Sequence, residues 1–455
     1  MKIVIIGAGS VAFTPAILSG FSADQRRYAG ATIGLVDVNE EALDLIVAFA
    51  QRVSKEFNLD WKIMASTDRH TVMSGADTVT TSIGVGGIPG WQVDLDVPFK
   101  HGIIQPVGDT SGPGGLARAL RHIPILVQIA RDMEDLCPTA TLYNFTNPLT
   151  VITQAVTRLS KIRCIGLCIG PELTWEHLCR VCGVEKDQTS AIIAGINHCH
   201  WVVDFRIKGE DAFPLLRSIL SQDSKRSEWK FGSQIARPQE TAKQPLCIRL
   251  FQHFGAYPGP GDGHVGEFFP QLMRPLIENV EEFQAEAIKY VYKSYPILWQ
   301  KMEDIGKKGA PIDTEAFAKE LAWDHTQFLD ILVSQQDNLG RVQYVNIPNR
   351  GYIHNLPEDV VVEVPATVDA AGLHPFALGD LPETIIPMMA HKVASLNLII
   401  EAAMEGSREK AVQAFLNDPH CTDIEKGIRM VNELIDAELE YLPNFKRKDG
   451  AAAAA

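Results

Sequence analysis

The stretch Gly195-Ile-Asn-His-Cys-His-Trp201 sets two histidines and a cysteine in three consecutive positions. Imidazole nitrogen and thiolate sulfur are the usual donors for a divalent transition ion, so the cluster points to metal chemistry. Read as one strand, "AIIAGINHCHWVVDF" sends His198 and His200 to one side and Cys199 to the other. The three cannot then share an ion. One histidine with a donor from another segment is the better arrangement. Cys168, closing the apolar run "RCIGLC" before a helix that starts near Pro171, is that donor, since a strand-end thiol facing a helix N-terminus has its thiolate favoured. The competing reading is a core histidine.

Other reactive types cluster in loops. "VGDTSGPGG" (Val107–Gly115) precedes a helical pattern and carries one carboxylate, Asp109. "FGAYPGPGDGHVGEFFP" (Phe254–Pro270) surrounds Tyr257, Asp262, His264 and Glu267 with glycine and proline, the punctuation of a functional loop. "YNFTNP" sets Asn144 and Asn147 at a strand end that Pro148 stops. The pair Cys179 and Cys182 has no partner motif and reads as helix packing.

These residues need a scaffold. "KIVIIGAGSVAF" is an apolar run followed by Gly7-x-Gly9-x-x-Ala12 and a helical pattern. Gly7 permits a tight turn, Gly9 a close backbone approach to pyrophosphate, and Ala12 close packing of helix on strand. Ser10 and Val11 complete the cofactor-binding turn, where free N–H groups favour phosphate. A second strand, "ATIGLVDV", ends in Asp37, an acid for a ribose 2′-hydroxyl, which favours NAD over its 2′-phosphorylated form. Further strands at "ADTVTTSIGVGG" (Ala76–Gly87) and "ATLYNFTNP", with a helix between, give the α/β doubly wound pattern. Ligands then sit beyond the carboxyl ends of the strands, where Asn144 is counted as a cofactor contact.

The division predicted is an NAD-binding Rossmann domain over 1–150, an α+β substrate and metal domain over 151–445 with strands at 190–207 and 340–364, and a disordered or artefactual tail at 446–455. The 455-residue chain carries a formal charge of −14, which argues against nucleic acid as a partner. Eight cysteines are no disulfide framework, and no apolar run approaches the ~20 residues of a membrane span. The apolar N-terminus is broken by glycine and reads as a buried strand. The expected location is cytoplasmic.

Taken in order, "GAGS", "GDTSGPGG", "NFTNP", a cysteine past a strand, "GINH", "GDGHVGEFFP" and "NRGYIHNLPEDVVVEVPATVD" resemble the family-four glycoside hydrolases over about residues 1–445. The resemblance implies a fold of the lactate/malate dehydrogenase-like superfamily. It also implies a tightly held, recycled NAD and a divalent ion, usually Mn2+. Catalysis would run by oxidation at sugar C3, C2 deprotonation, elimination, water addition and re-reduction, outside the two-carboxylate scheme. Cys168 and His198 match the family's metal ligands, with His200 and Cys199 outside the shell. Asn147 matches a sugar-binding asparagine, Asp109 an acidic position proposed as general acid, and Tyr257 or Asp262 the base. His264 is counted among the substrate contacts. Cys168-Ile-Gly-Pro171 departs from the family's subgroup patterns. "GDTSGPGGLARALRHIPI" looks most like the uronide-cleaving branch, which implies an α-galacturonide. A sulfoquinovoside, or a neutral α-glucoside or α-galactoside, is the alternative. An anionic sugar needs a cation, for which His101, Arg118 and Arg350 are candidates, Arg350 being counted as substrate-binding. A homodimer or homotetramer is implied.

Two rivals share the cofactor fold. A lactate/malate-type dehydrogenase would make one net hydride transfer, without a metal-binding cysteine. A non-catalytic NAD-binding sensor would need neither metal nor Asp109. Both leave the pairing of Cys168 with His198 unexplained.

Overall fold

The computed structural model describes residues 1–223, 244–314, 316–317 and 326–445; the expected tail at 446–455 lies outside the described residues. Among them, thirteen strands join in one sheet. Six are parallel: β1 (Lys2–Ile6), β2 (Thr32–Val36), β3 (Lys62–Ser66), β4 (Thr78–Thr81), β5 (Thr141–Asn144) and β6 (Arg163–Gly166), in the order β3-β2-β1-β4-β5-β6. This is the doubly wound dinucleotide-binding order, reversing between β1 and β4. β1 explains why both faces are covered. Ile3 and Ile5 enter one apolar core, with the helices Phe13–Ala23 and Glu40–Glu56. Val4 and Ile6 enter the other, with the helices Gly112–Leu136 and Leu149–Leu159. Such alternation in a wholly apolar strand is what a doubly covered parallel sheet requires. The edge strand β3 was not anticipated, because its burial is slight and its residues do not form a continuous apolar run.

The remaining strands are β7 (Thr189–Ile196), β8 (Cys199–Ile207), β9 (Glu210–Asp211), β10 (Tyr257–Gly259), β11 (Arg341–Pro348), β12 (Val361–Asp369) and β13 (Gly372–Pro375). They extend the sheet from β6 as β11-β12-β7-β8-β10, antiparallel throughout, with β9 on β8 and β13 on β12. The hand-over is Asn346 opposite Gly166. The parallel unit therefore runs on to Gly166, past the expected boundary at residue 150. No described helix is long and apolar enough to cross a membrane.

Two expectations are corrected. The segment around His198 is not one strand. Ile196 pairs with Cys199, so Asn197 and His198 form a two-residue hairpin loop, with His198 in the left-handed region at φ +63°. The alternation argument about His198 and His200 therefore does not apply. Ala12 is exposed and does not mediate close helix packing. The tight approach is at Gly20, where a Cβ would lie 1.9 Å from Leu329 Cδ1.

A buried ion cluster fixes the long helix Gly112–Leu136. Arg121 donates to both oxygens of Asp94 at 2.8 Å and also pairs with Glu438. All three residues are fully buried. A charge so desolvated is tolerated only when paired, and here the pairing ties the C-terminal region to the helix that starts at the Asp109 loop.

Candidate active site

The loop before the Gly112–Leu136 helix is held from three sides. One oxygen of Glu267 accepts the N–H of Val107 at 2.9 Å and that of Gly108. Gln105 accepts the N–H of Gly114 at 2.8 Å, and Asp418 that of Gly112 at 3.3 Å. Asp109 is thereby presented with both oxygens engaged. Oδ1 accepts the Thr110 hydroxyl at 2.6 Å, and Oδ2 accepts Asn147 Nδ2 at 3.1 Å. Asn147 arrives from the end of β5, so the loop and the strand end meet at this carboxylate.

His198 completes the meeting. Its Nδ1 lies 2.8 Å from Thr110 Oγ1 and 3.9 Å from Asp109 Oδ1. Because Thr110 gives its proton to Asp109, the consistent tautomer has His198 Nδ1–H donating to Thr110, which leaves Nε2 with a lone pair. The ring of His264 lies against His198, centroids 4.0 Å apart, and His264 Nδ1 is buried without a hydrogen-bond partner. One donor atom from each of Asp109, His198 and His264 lies within 4.8 Å of the others. Donors about 2.1 Å from a common ion sit roughly 3–4 Å apart, so a small closure would let the three share a cation. The electrostatics agree. Burial lowers His198 to about 3 and also lowers His264; both rings are thus neutral, the form that ligates. Burial disfavours the charge on Asp109, while Arg118 and the Thr110 hydrogen bond favour it, and a proton on either imidazole would favour it further. The carboxylate form of Asp109 is the one that would ligate.

Cys168 does not belong to that group of three. It follows β6, and its Sγ accepts the Gly170 N–H at 3.3 Å. A Cβ on Gly170 would lie 3.3 Å from this sulfur and 3.1 Å from His200 Cε1. His200 has a partner at both ring nitrogens. Its Nδ1 is 2.7 Å from Glu363 Oε2 and its Nε2 is 3.0 Å from Thr174 Oγ1. The other Glu363 oxygen accepts Asn197 Nδ2 at 3.1 Å and Asn346 Nδ2 at 2.8 Å. Burial alone would raise Glu363; the positive charge of His200 and these three hydrogen bonds hold it low. Glu363 was missed in the sequence, although an acid within "VVVEVP" was a visible anomaly.

The expected bases differ in their surroundings. Tyr257 is buried, and its hydroxyl has no hydrogen-bond partner. Burial, with Cys247 and Asp262 nearby, raises it well above an ordinary phenol. Asp262 is corrected outright. Its oxygens accept the N–H groups of Leu246 and Cys247 at 2.9 Å each, satisfying the first turn of the helix Pro245–Phe254. Burial raises this carboxyl to about 6, and both of its oxygens are taken up by the helix.

On the cofactor side, Gly7 has φ +86°, and a Cβ there would lie 2.5 Å from the Ser82 carbonyl oxygen. Gly9 donates its N–H to Asp37 Oδ2 at 2.8 Å, and a Cβ would lie 2.7 Å from Ala42 Cβ. The turn therefore admits only bare backbone, as a pyrophosphate cradle demands. Ser10 Oγ accepts the Phe13 N–H at 3.2 Å, while Val11 is buried in the core. Asn144 does not fit the contact expected of it. It is fully buried and satisfied by Thr81, Thr146 and Thr153. Arg350 is exposed, and His101 is paired with Glu433 at 2.8 Å.

A sequence profile described as Family 4 glycosyl hydrolase matches residues 2–184, and its C-terminal-domain counterpart matches residues 193–421. An alpha-galactosidase of Bacillus subtilis (strain 168) is 29% identical over 461 residues, covering 98% of this chain and 100% of that protein. An alpha-galacturonidase of the same organism is 28% identical over 432 residues, covering 92% and 93%. A solved 6-phospho-alpha-glucosidase from gut microorganisms, in complex with NAD and Mn2+, has a TM-score of 0.82 at 20% identity, covering 98% of this chain and 99% of that one. This last likeness is one of fold.

Proposed function

The chain belongs to glycosyl hydrolase family 4, and on that premise we propose that it is an NAD- and divalent-metal-dependent glycosidase cleaving an α-galacturonide. Membership removes the dehydrogenase and sensor readings. The observation that carries the proposal is the convergence of Asp109, His198 and His264, one donor atom of each within 4.8 Å of the others, where His264 also has a buried nitrogen without a partner. This donor set fits a hard-to-borderline divalent ion such as Mn2+. The Gly7 and Gly9 cradle with Asp37 fits NAD. The structural relative carrying NAD and Mn2+ and the alpha-galacturonidase relative support the same reading.

When bound, the cofactor and ion would supply reversible hydride transfer at sugar C3 and stabilisation of negative charge at the neighbouring oxygens. The chain's own residues do the rest. Asn147 would orient the sugar hydroxyls, held in register by its bond to Asp109. Asp109, His198 and His264 would ligate the ion, with Cys168 as a further donor from the β6 end. Tyr257 would accept the C2 proton. Its orphaned, buried hydroxyl needs nearby positive charge to ionise near neutral pH, so its activity as a base is tied to the loaded state. Glu363 and Thr110 would hold His198 in place. An α-galactoside is the second reading, favoured by the alpha-galactosidase relative.

The test is hydrolysis of a 4-nitrophenyl panel of α-galacturonide, α-galactoside and α-glucoside by protein first stripped of bound nucleotide and metal, with NAD+ and Mn2+ added singly and together. Release from the galacturonide that needs both additions supports the proposal. Release that needs neither refutes the mechanism, and release confined to a neutral glycoside refutes the substrate.

A further inference from the structure

Arg118 and Arg121 lie one turn apart on the same helix, yet only one is paired. Arg121 is saturated by Asp94 and Glu438. Arg118 is half-buried, and its Nε is buried without a partner. Among the described residues no carboxylate lies within ion-pair distance of it. Its guanidinium carbon sits 5.4 Å over the Trp91 ring, and Trp91 is itself fixed to the Asp109 loop by Nε1–H donation to the Val107 carbonyl at 2.6 Å. Burial lowers the Arg118 pKa, and the nearby charge of Asp109 opposes that. The guanidinium is thus stacked on the ring that is tied to the Asp109 loop, with its Nε unpartnered.

An unpaired guanidinium in such surroundings is costly for the ligand-free protein. A ligand anion would remove the cost. We propose that Arg118 is the residue that binds the carboxylate of the sugar substrate and so selects a uronide over the neutral hexoside. This rests on the function proposed above and names the cation it requires. Its planar fork matches a carboxylate through two parallel N–H donors. A phosphorylated sugar fits less well: a dianion beside Asp109 would call for more than one cation, and His101 is already paired while Arg350 is exposed.

The test is calorimetric binding of D-galacturonate, D-galactose and D-glucose 6-phosphate to the NAD+- and Mn2+-loaded protein, in wild type, Arg118→Met and Arg118→Lys. We expect wild type to prefer galacturonate. Arg118→Met should lose on the order of a hundredfold in galacturonate affinity, with a far smaller change for galactose. Arg118→Lys should fall between, because it keeps the charge and loses the fork. It also keeps the question open should Arg118→Met fold poorly. A wild type that prefers galacturonate, with variants that keep the preference, overturns the Arg118 assignment alone. A wild type without the preference overturns the uronide reading and this inference with it, as does a preference for glucose 6-phosphate. Variants that lose NAD+ affinity and not galacturonate affinity assign the guanidinium to the cofactor's phosphates.

Discussion

Removing Glu363 should unravel the hairpin that carries His198. Glu363 is fully buried and accepts three hydrogen bonds, from His200, Asn197 and Asn346. Glu363→Ala leaves three buried donors unmet, at about 1–3 kcal/mol each. Breaking one side of a buried ion pair typically costs about 3–5 kcal/mol, so about 4 kcal/mol is the expected loss. Glu363→Gln keeps the volume and one carbonyl for the two asparagines, and loses only the charged bond, about 1.5–3 kcal/mol. Asn197 directly precedes His198, whose left-handed φ of +63° persists only while its surroundings enforce it. Both variants should therefore weaken Mn2+ binding, the alanine more. The pH profile gives a second reading. Glu363 is held below its ordinary range in the folded protein, so its contribution is present above the ordinary glutamate pKa and is lost as pH falls through the folded value. Glu363→Gln should flatten that acid-side fall. Urea unfolding of the ligand-free protein from pH 3 to 7, with Mn2+ titration at pH 7, measures both effects. An alanine variant that unfolds at the wild-type urea midpoint, or binds Mn2+ as wild type does, refutes the argument.

Three further outcomes are expected. Gly7→Ala meets the Ser82 carbonyl and adopts an unfavourable φ; NAD+ affinity by fluorescence titration should fall at least tenfold, with a stability loss of about 1–3 kcal/mol. Asp418 is buried, which would raise its carboxyl, but the charge and hydrogen bond of His420 hold it at about 2. The stabilisation this carboxylate gives is therefore complete above pH 4 and is lost as pH falls through about 2; Asp418→Asn should remove roughly 2 kcal/mol at neutral pH, read by urea unfolding. Tyr257→Phe should cost about 10²–10⁴-fold in kcat while leaving thermal stability equal or higher, since it deletes an orphaned buried hydroxyl; a Tm well below wild type would mark the tyrosine as structural.

Much of this was legible before any coordinates. β1, β2, β4, β5 and β6 announce themselves as apolar runs ended by glycine or polar residues, and Gly7 and Gly9 have the conformational and steric reasons that their spacing implied. The two edges of the inference were less visible. β3 carries its residues half in solvent, so no continuous apolar run marks it. The Asn197–His198 turn was hidden because apolar residues flank it on both sides, and neither residue is glycine. The site followed the same rule. Asp109, Asn147 and His198 stand in their own motifs and do meet. Asp262 stood in an equally suggestive loop, but its carboxylate caps a helix 16 residues away in sequence, a pairing only the tertiary fold reveals. His264, Arg118 and Glu363 owe their roles to what surrounds them: a second imidazole, a missing counter-charge and three buried donors. Spacing carries no record of such neighbours.

The central claim is that cleavage proceeds through loss of the C2 proton. The direct measurement is turnover of 4-nitrophenyl α-galacturonide in D2O with NAD+ and Mn2+, with the released sugar analysed by mass spectrometry and proton NMR. The account predicts one deuterium at C2 of the product. Hydrolysis that leaves hydrogen at C2 would contradict it.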